Sequence, residues 1–163
     1  MNTSFERCTN TTDEWYTPKW IVDALGEFDL DPCAPEHRLW NTAKRHITAK
    51  EDGLKNPWGG VRVWLNPPYS RPVIERFVAK MVENNNGIAL LFNRCDSRMF
   101  QDLIFPNAEA IMFVRGRIKF YRPDGTQGES PGCGSVLIAF GRDNADALER
   151  SNIPGKFIRL KNH

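Results

Sequence analysis

The chain has 163 residues, 40% apolar and 26% charged, which is enough for a packed core without disulfide staples and too short for a tandem array or a large multidomain assembly. Twelve Gly and 11 Pro are scattered rather than clustered, which excludes a low-complexity chain. Net charge is only +2, yet residues 71–122 carry 9 basic and 5 acidic side chains, a local excess suited to a polyanionic partner.

The first ten residues (MNTSFERCTN) contain no apolar signal core, and no uninterrupted apolar run is longer than that of residues 88–92, far below the roughly 20 residues of a membrane-spanning helix. A soluble, cytoplasmic protein with no membrane partner is expected. Cys8, Cys33, Cys95 and Cys133 form no CxxC pair and read as reduced thiols. His37, His46 and His163 lack ligand spacing, so no metal is expected.

In chain order, Thr17-Pro18 followed by Trp20, Ile21, Val22, Ala24 and Leu25, then Gly26, predicts a capped helix with proline in its first turn and glycine at its end. A short strand is expected over 28–31. Residues 32–58 are polar with little periodicity, and a short strand or helix is expected near 45–48. Residues 61–65 (VRVWL) read as a strand running into Asn66-Pro67-Pro68-Tyr69-Ser70, where two prolines forbid any further central ladder. Val73, Ile74, Phe77, Val78, Met81 and Val82 repeat at helical spacing, with Ser70 as the expected cap. Residues 87–92 and 110–114 are strand-length apolar runs, 97–104 a short helix, and 118–121 is expected to pair with 135–140 at the far edge. Apolar runs without alternation, interleaved with amphipathic helices, predict one α/β domain built on a mostly parallel sheet with helices on both faces. Ligands of such sheets bind beyond the carboxyl ends of the strands.

The chemistry concentrates at Asn66-Pro67-Pro68-Tyr69. A tetrapeptide of this type arises by chance in under about 1 in 100 chains this long. A bland alternative is a rigid turn that merely ends a strand; a WW-domain ligand would need Pro-Pro-x-Tyr, which is absent. The functional reading starts from a planar exocyclic amine, whose lone pair is delocalised into its ring and is a poor nucleophile. Two acceptors, the Asn66 side-chain oxygen and the Pro67 carbonyl, would take both amine hydrogens and localise that lone pair. Locked proline φ angles fix the carbonyls, and Tyr69 offers a flat face on which an extruded base can stack.

Five stretches in one order carry a resemblance: Trp15-Tyr16-Thr17-Pro18, Phe28-Asp29-Leu30-Asp31-Pro32-Cys33-Ala34, Asp52-Gly53-Leu54 with Trp58, Trp64-Leu65-Asn66-Pro67-Pro68-Tyr69-Ser70, and Gly116-Arg117-Ile118-Lys119-Phe120. The sequence resembles the phage-type, Dam-like DNA N-6-adenine methyltransferases. That resemblance implies a Rossmann-like fold, S-adenosylmethionine as methyl donor, the adenine amine in DNA as acceptor, and protection of phage or prophage DNA from restriction. It assigns catalysis to Asn66, Pro67, Pro68 and Tyr69, and cofactor binding to Thr17, Pro18, Asp31, Pro32, Asp52 and Asn66. The glycine-rich continuation of the first cofactor motif is replaced here by Cys33-Ala34-Pro35-Glu36-His37.

Arg94, Ser97 and Arg98 follow one predicted strand, and Arg115, Arg117, Lys119 and Arg122 follow another, so both groups are expected on the sheet edge of Asn66 as DNA contacts. Target-recognition loops are thus expected around 94–99 and 115–134, and residues 123–134, rich in Gly and Pro, are expected to form a mobile loop near the base pocket. Two other readings compete: the same chemistry on an RNA base or a protein glutamine, and an inactive nucleic-acid-binding or anti-restriction protein.

Overall fold

A computed structural model of the chain describes residues 15–162. Seven strands, β1 (Leu30–Asp31), β2 (Arg45–His46), β3 (Val63–Leu65), β4 (Gly87–Phe92), β5 (Ala110–Val114), β6 (Ser135–Phe140) and β7 (Gly155–Arg159), form one sheet in the order β2-β1-β3-β4-β6-β5-β7. The helices among the described residues are α1 (Lys19–Ala24), α2 (Val73–Asn84), a π-helix (Met99–Ile104) and α3 (Arg142–Arg150).

Period-two alternation divides the apolar side chains between two faces. Leu65, Ala89, Leu91, Ile111 and Ile138 pack on one face beneath Phe77 and Met81 of α2 and Phe100 of the π-helix. Trp64, Ile88, Leu90, Met112 and Leu137 pack on the other beneath Ile21 of α1 and Leu148 of α3. Helices therefore cover both faces, and the fold is α/β as expected.

The sheet is mixed rather than mostly parallel. The pairs β1–β2, β1–β3 and β3–β4 are parallel, whereas β4–β6, β5–β6 and β5–β7 are antiparallel. Unrelieved apolar runs report burial on both faces, which an antiparallel strand inside a covered sheet shares with a parallel one. The expected pairing of 118–121 with 135–140 is also absent. β6 lies between β4 and β5, away from the edge, and Tyr121 instead makes isolated antiparallel bridges to Tyr16 and Gln127.

Neither expected side-chain cap forms. The residue before α1 is Pro18 and that before α2 is Pro72, with no capping side-chain hydrogen bond at either. Cys33 and Cys95 are free thiols, but Cys133 is disulfide-bonded, so the expectation of reduced thiols fails there; Cys8 lies outside the described residues. Among the described residues no helix is long and apolar enough to cross a membrane, and no group of His, Cys, Asp and Glu is placed to hold a metal ion.

β5 and β4 both run antiparallel to β6, so β1, β3, β4 and β5 all point their carboxyl ends to one sheet edge. The loops after Asp31, Leu65, Phe92 and Val114 gather there.

Candidate active site

A cavity of about 820 Å³ opens at that edge. Asn66, Pro67, Pro68 and Tyr69 all line it, together with Thr17, Asp31, Pro32 and Asp52. Pro18 is buried behind the wall, at the start of α1.

Asn66 is the first residue beyond β3, and the two prolines that follow have no N–H with which to extend the ladder. Its Nδ2 donates to Thr17 Oγ1 at 3.1 Å. This contact orients the amide and explains why the Thr17 hydroxyl is not a helix cap. The Thr17 carbonyl in turn accepts from Trp40 Nε1 at 3.0 Å, tying the segment before α1 to the site. Asn66 Oδ1 has no donor among the described residues and is the acceptor that the side chain leaves to the cavity.

Tyr69 is pinned at its hydroxyl, which accepts the backbone N–H of Phe92. The two rings meet at 4.8 Å and 47°, and Phe92 meets Phe120 edge-on at 6.4 Å. These three rings form an aromatic wall within the cavity. Burial pushes the Tyr69 phenol well above its ordinary pKa, so it stays neutral.

Asp31, 3% exposed, ends β1. Its Oδ1 accepts the Cys33 N–H at 3.0 Å and its Oδ2 the Thr42 hydroxyl. Burial raises its pKa to about 6 against the pull of those two bonds and of Arg38. No Lys or Arg among the described residues forms an ion pair with it. It is a buried carboxylate on the cavity wall, with Arg38 on the same wall but not in ion-pair contact with it.

Asp52 adopts φ +65° and its Oδ1 accepts the Leu54 N–H at 2.9 Å, a local turn that sets the 52–54 loop. A Cβ on Gly53 would overlap the Pro32 carbonyl oxygen, so only glycine lets the 52–54 and 31–33 loops lie against each other.

Several lining residues escape sequence reasoning. Phe92 and Phe120 read only as apolar strand residues. Ser135, which opens β6 opposite Phe92, is buried with an unpartnered Oγ, and Trp15 has a buried, unpartnered indole N–H. For Phe92 and Ser135 the strand-end position is the one signal the sequence offers, whereas Trp15 and Phe120 fall within stretches that carry the resemblance.

Arg94, Ser97, Arg98, Arg115, Arg117 and Lys119 follow β4 and β5 on the edge that carries Asn66, but none of them lines the cavity. Arg98, Arg115, Arg117 and Lys119 are exposed. Arg94 is half-buried with one unpartnered guanidinium nitrogen, and the Ser97 hydroxyl accepts the Phe100 N–H at 3.4 Å in the first turn of the π-helix. The 121–127 segment folds as a small hairpin, with Arg122 N–H on the Thr126 carbonyl at 2.8 Å, and brings Arg122 and Glu129 to the cavity.

The family model described as DNA N-6-adenine-methyltransferase (Dam) matches residues 6–151. The chain belongs to the DNA N-6-adenine-methyltransferase family. Within that family it is 34% identical over 116 residues to a DNA N-6-adenine-methyltransferase of Haemophilus phage HP1 (strain HP1c1), covering 66% of each chain. It is 35% identical over 118 residues to a DNA N-6-adenine-methyltransferase of Escherichia phage T1, covering 65% of this chain and 48% of that one. The chain thus spans about two thirds and about half of the length of these two curated relatives. No solved structure matches it.

Proposed function

We propose that this chain methylates the exocyclic amine of adenine in DNA, with S-adenosylmethionine as donor. The observation that carries the reading is the Asn66-Pro67-Pro68-Tyr69 corner opening on a cavity wide enough for a nucleoside and shared with a buried carboxylate, Asp31, that forms no ion pair among the described residues. Family membership supports the chemistry, and the three parallel pairs on the Asp31 side of the sheet support a Rossmann-like arrangement.

The residues present fit the donor. A volume of about 820 Å³ lies within the usual range of ligand pockets, roughly 300–1,000 Å³. Asp31 would hold the ammonium of the methionine part, and the 52–54 loop would line the adenosine part. When bound, S-adenosylmethionine supplies an electrophilic methyl carbon on a sulfonium.

Asn66 Oδ1 and the Pro67 carbonyl accept the two amine hydrogens, which shifts electron density onto the amine nitrogen and opposes its delocalisation into the ring. The Thr17 hydroxyl holds the Asn66 amide with its oxygen as acceptor. Tyr69, fixed through Phe92, stacks the extruded base and limits its motion. The surplus proton on the methylated nitrogen leaves to water, so no general base is needed. Loops 94–99 and 115–134, within the same domain, would contact the DNA around the extruded base.

Labelled methyl transfer onto unmethylated duplex DNA, RNA and protein extract tests this reading. Label at N6 of adenine in the DNA fraction is expected. Incorporation confined to RNA or protein would overturn the DNA substrate, and no binding of the donor would overturn methyl transfer altogether.

A further inference from the structure

We infer that Lys80 is a positioning residue for the donor side of the site, clamping the 52–56 loop from behind so that Asp52 and Leu54 keep their places in the cavity wall. The inference rests on the methyltransferase reading above.

Lys80 lies in α2, one turn beyond Phe77, and does not itself line the cavity. A lysine on a helix flank ordinarily leaves its ammonium in water. Here the ammonium is turned inward. It donates to the carbonyls of Gly53 (3.3 Å), Leu54 (2.8 Å) and Asn56, so three N–H donors meet three backbone acceptors of one loop. Its nitrogen also sits 5.4 Å from the centre of the Trp58 ring, whose own N–H donates to the same Gly53 carbonyl at 2.9 Å. No carboxylate among the described residues takes part: the charge is met by carbonyl dipoles and an aromatic face.

Three carbonyls aimed at one point repel each other unless a cation lies between them. No other donor among the described residues reaches those of Leu54 and Asn56. The opposite side of this loop is the cavity wall, where Asp52 and Leu54 are presented and where Gly53 lies against Pro32. Removing the cation frees the loop on the side that bears on the donor. The acceptor corner does not depend on it, because Asn66 is held by Thr17 and Tyr69 by Phe92. The clamp therefore acts on donor affinity rather than on the transfer step.

Lys80→Met keeps the stem beside Trp58 and removes all three donors. Titration calorimetry with S-adenosylhomocysteine measures affinity without turnover, and amide hydrogen exchange reads the loop directly. About tenfold weaker binding is expected, with faster exchange confined to residues 52–58 and kcat at saturating donor within about twofold of wild type. Lys80→Arg keeps the charge but substitutes a planar fork for a compact donor, and about threefold weaker binding is expected; it also serves as the test if Lys80→Met does not fold. Wild-type affinity in the folded variants, or a fall in kcat with affinity intact, would overturn the clamp alone. Failure of the wild-type protein to bind S-adenosylhomocysteine would instead overturn the reading on which it rests.

Discussion

At the residue scale, two polar side chains at strand ends do different work. In the proposed reaction Asn66 would act through one oxygen that gains most as charge develops on the amine, so Asn66→Ala is expected to lower kcat by roughly 100-fold or more with donor affinity within about twofold. Rapid-quench turnover beside calorimetry checks this, and near-normal turnover would contradict the mechanism. Asp31 would act in the proposed donor site through its charge. Its pKa is raised to about 6 from 3.8 by burial, so the folded state holds the proton more tightly than the unfolded chain does. The resulting stabilisation is complete below about pH 3.8 and is lost as pH rises through 6. A cation docked against the carboxylate favours its ionised form, so donor binding should release a proton and tighten between pH 5 and 7. The gain should approach tenfold per unit below pH 6 and level off above it. Asp31→Asn should flatten that profile; a flat profile in the wild-type protein would show that no cation meets Asp31.

At the element scale, legibility in the sequence followed hydrophobic contrast. α2, β4 and β5 were readable because apolar side chains recur at 3.6-residue spacing or fill a whole strand. α3 buries little beyond Ala145 and Leu148, and β7 (GKFIR) is largely exposed, so neither carried a signal. The Asn66-Pro67-Pro68-Tyr69 corner was legible because its chemistry is local. Its supports were not: Thr17 reaches Asn66 across 49 positions and Phe92 reaches Tyr69 across 23. Arg62 is a similar case at the opposite edge of the sheet. It precedes β3 and donates to the Leu25 carbonyl (2.7 Å), the Glu27 carbonyl (2.8 Å) and Asn144 Oδ1 (2.7 Å), with its guanidinium 4.2 Å from the centre of the Phe28 ring. One side chain thus joins the end of α1, β3 and α3. Arg62→Met should destabilise the protein by about 2–3 kcal/mol in denaturant titrations, since it leaves several acceptors unmet. Methyl transfer below the new melting point should be unchanged, because this edge is remote from the cavity.

At the scale of the whole molecule, the mixed sheet brings basic loops to the end of the sheet at which the cavity opens. β4 and β5 are not neighbours, yet β6 between them runs the other way, so both end on the edge of Asn66. Arg115, Arg117 and Lys119 stand exposed there and outside the cavity, where a phosphate backbone can reach them while a base enters. Phosphate contacts release condensed counterions, so each contributes about 0.9 to the slope of log affinity against log salt. Replacing all three with Gln should therefore weaken duplex binding and reduce that slope by roughly 2 to 3, to a similar extent for every DNA sequence. S-adenosylhomocysteine affinity and Tm should stay at wild-type values, since these side chains take no part in the cavity wall. Fluorescence anisotropy at a series of salt concentrations measures the slope, and an unchanged slope would place the DNA across another face.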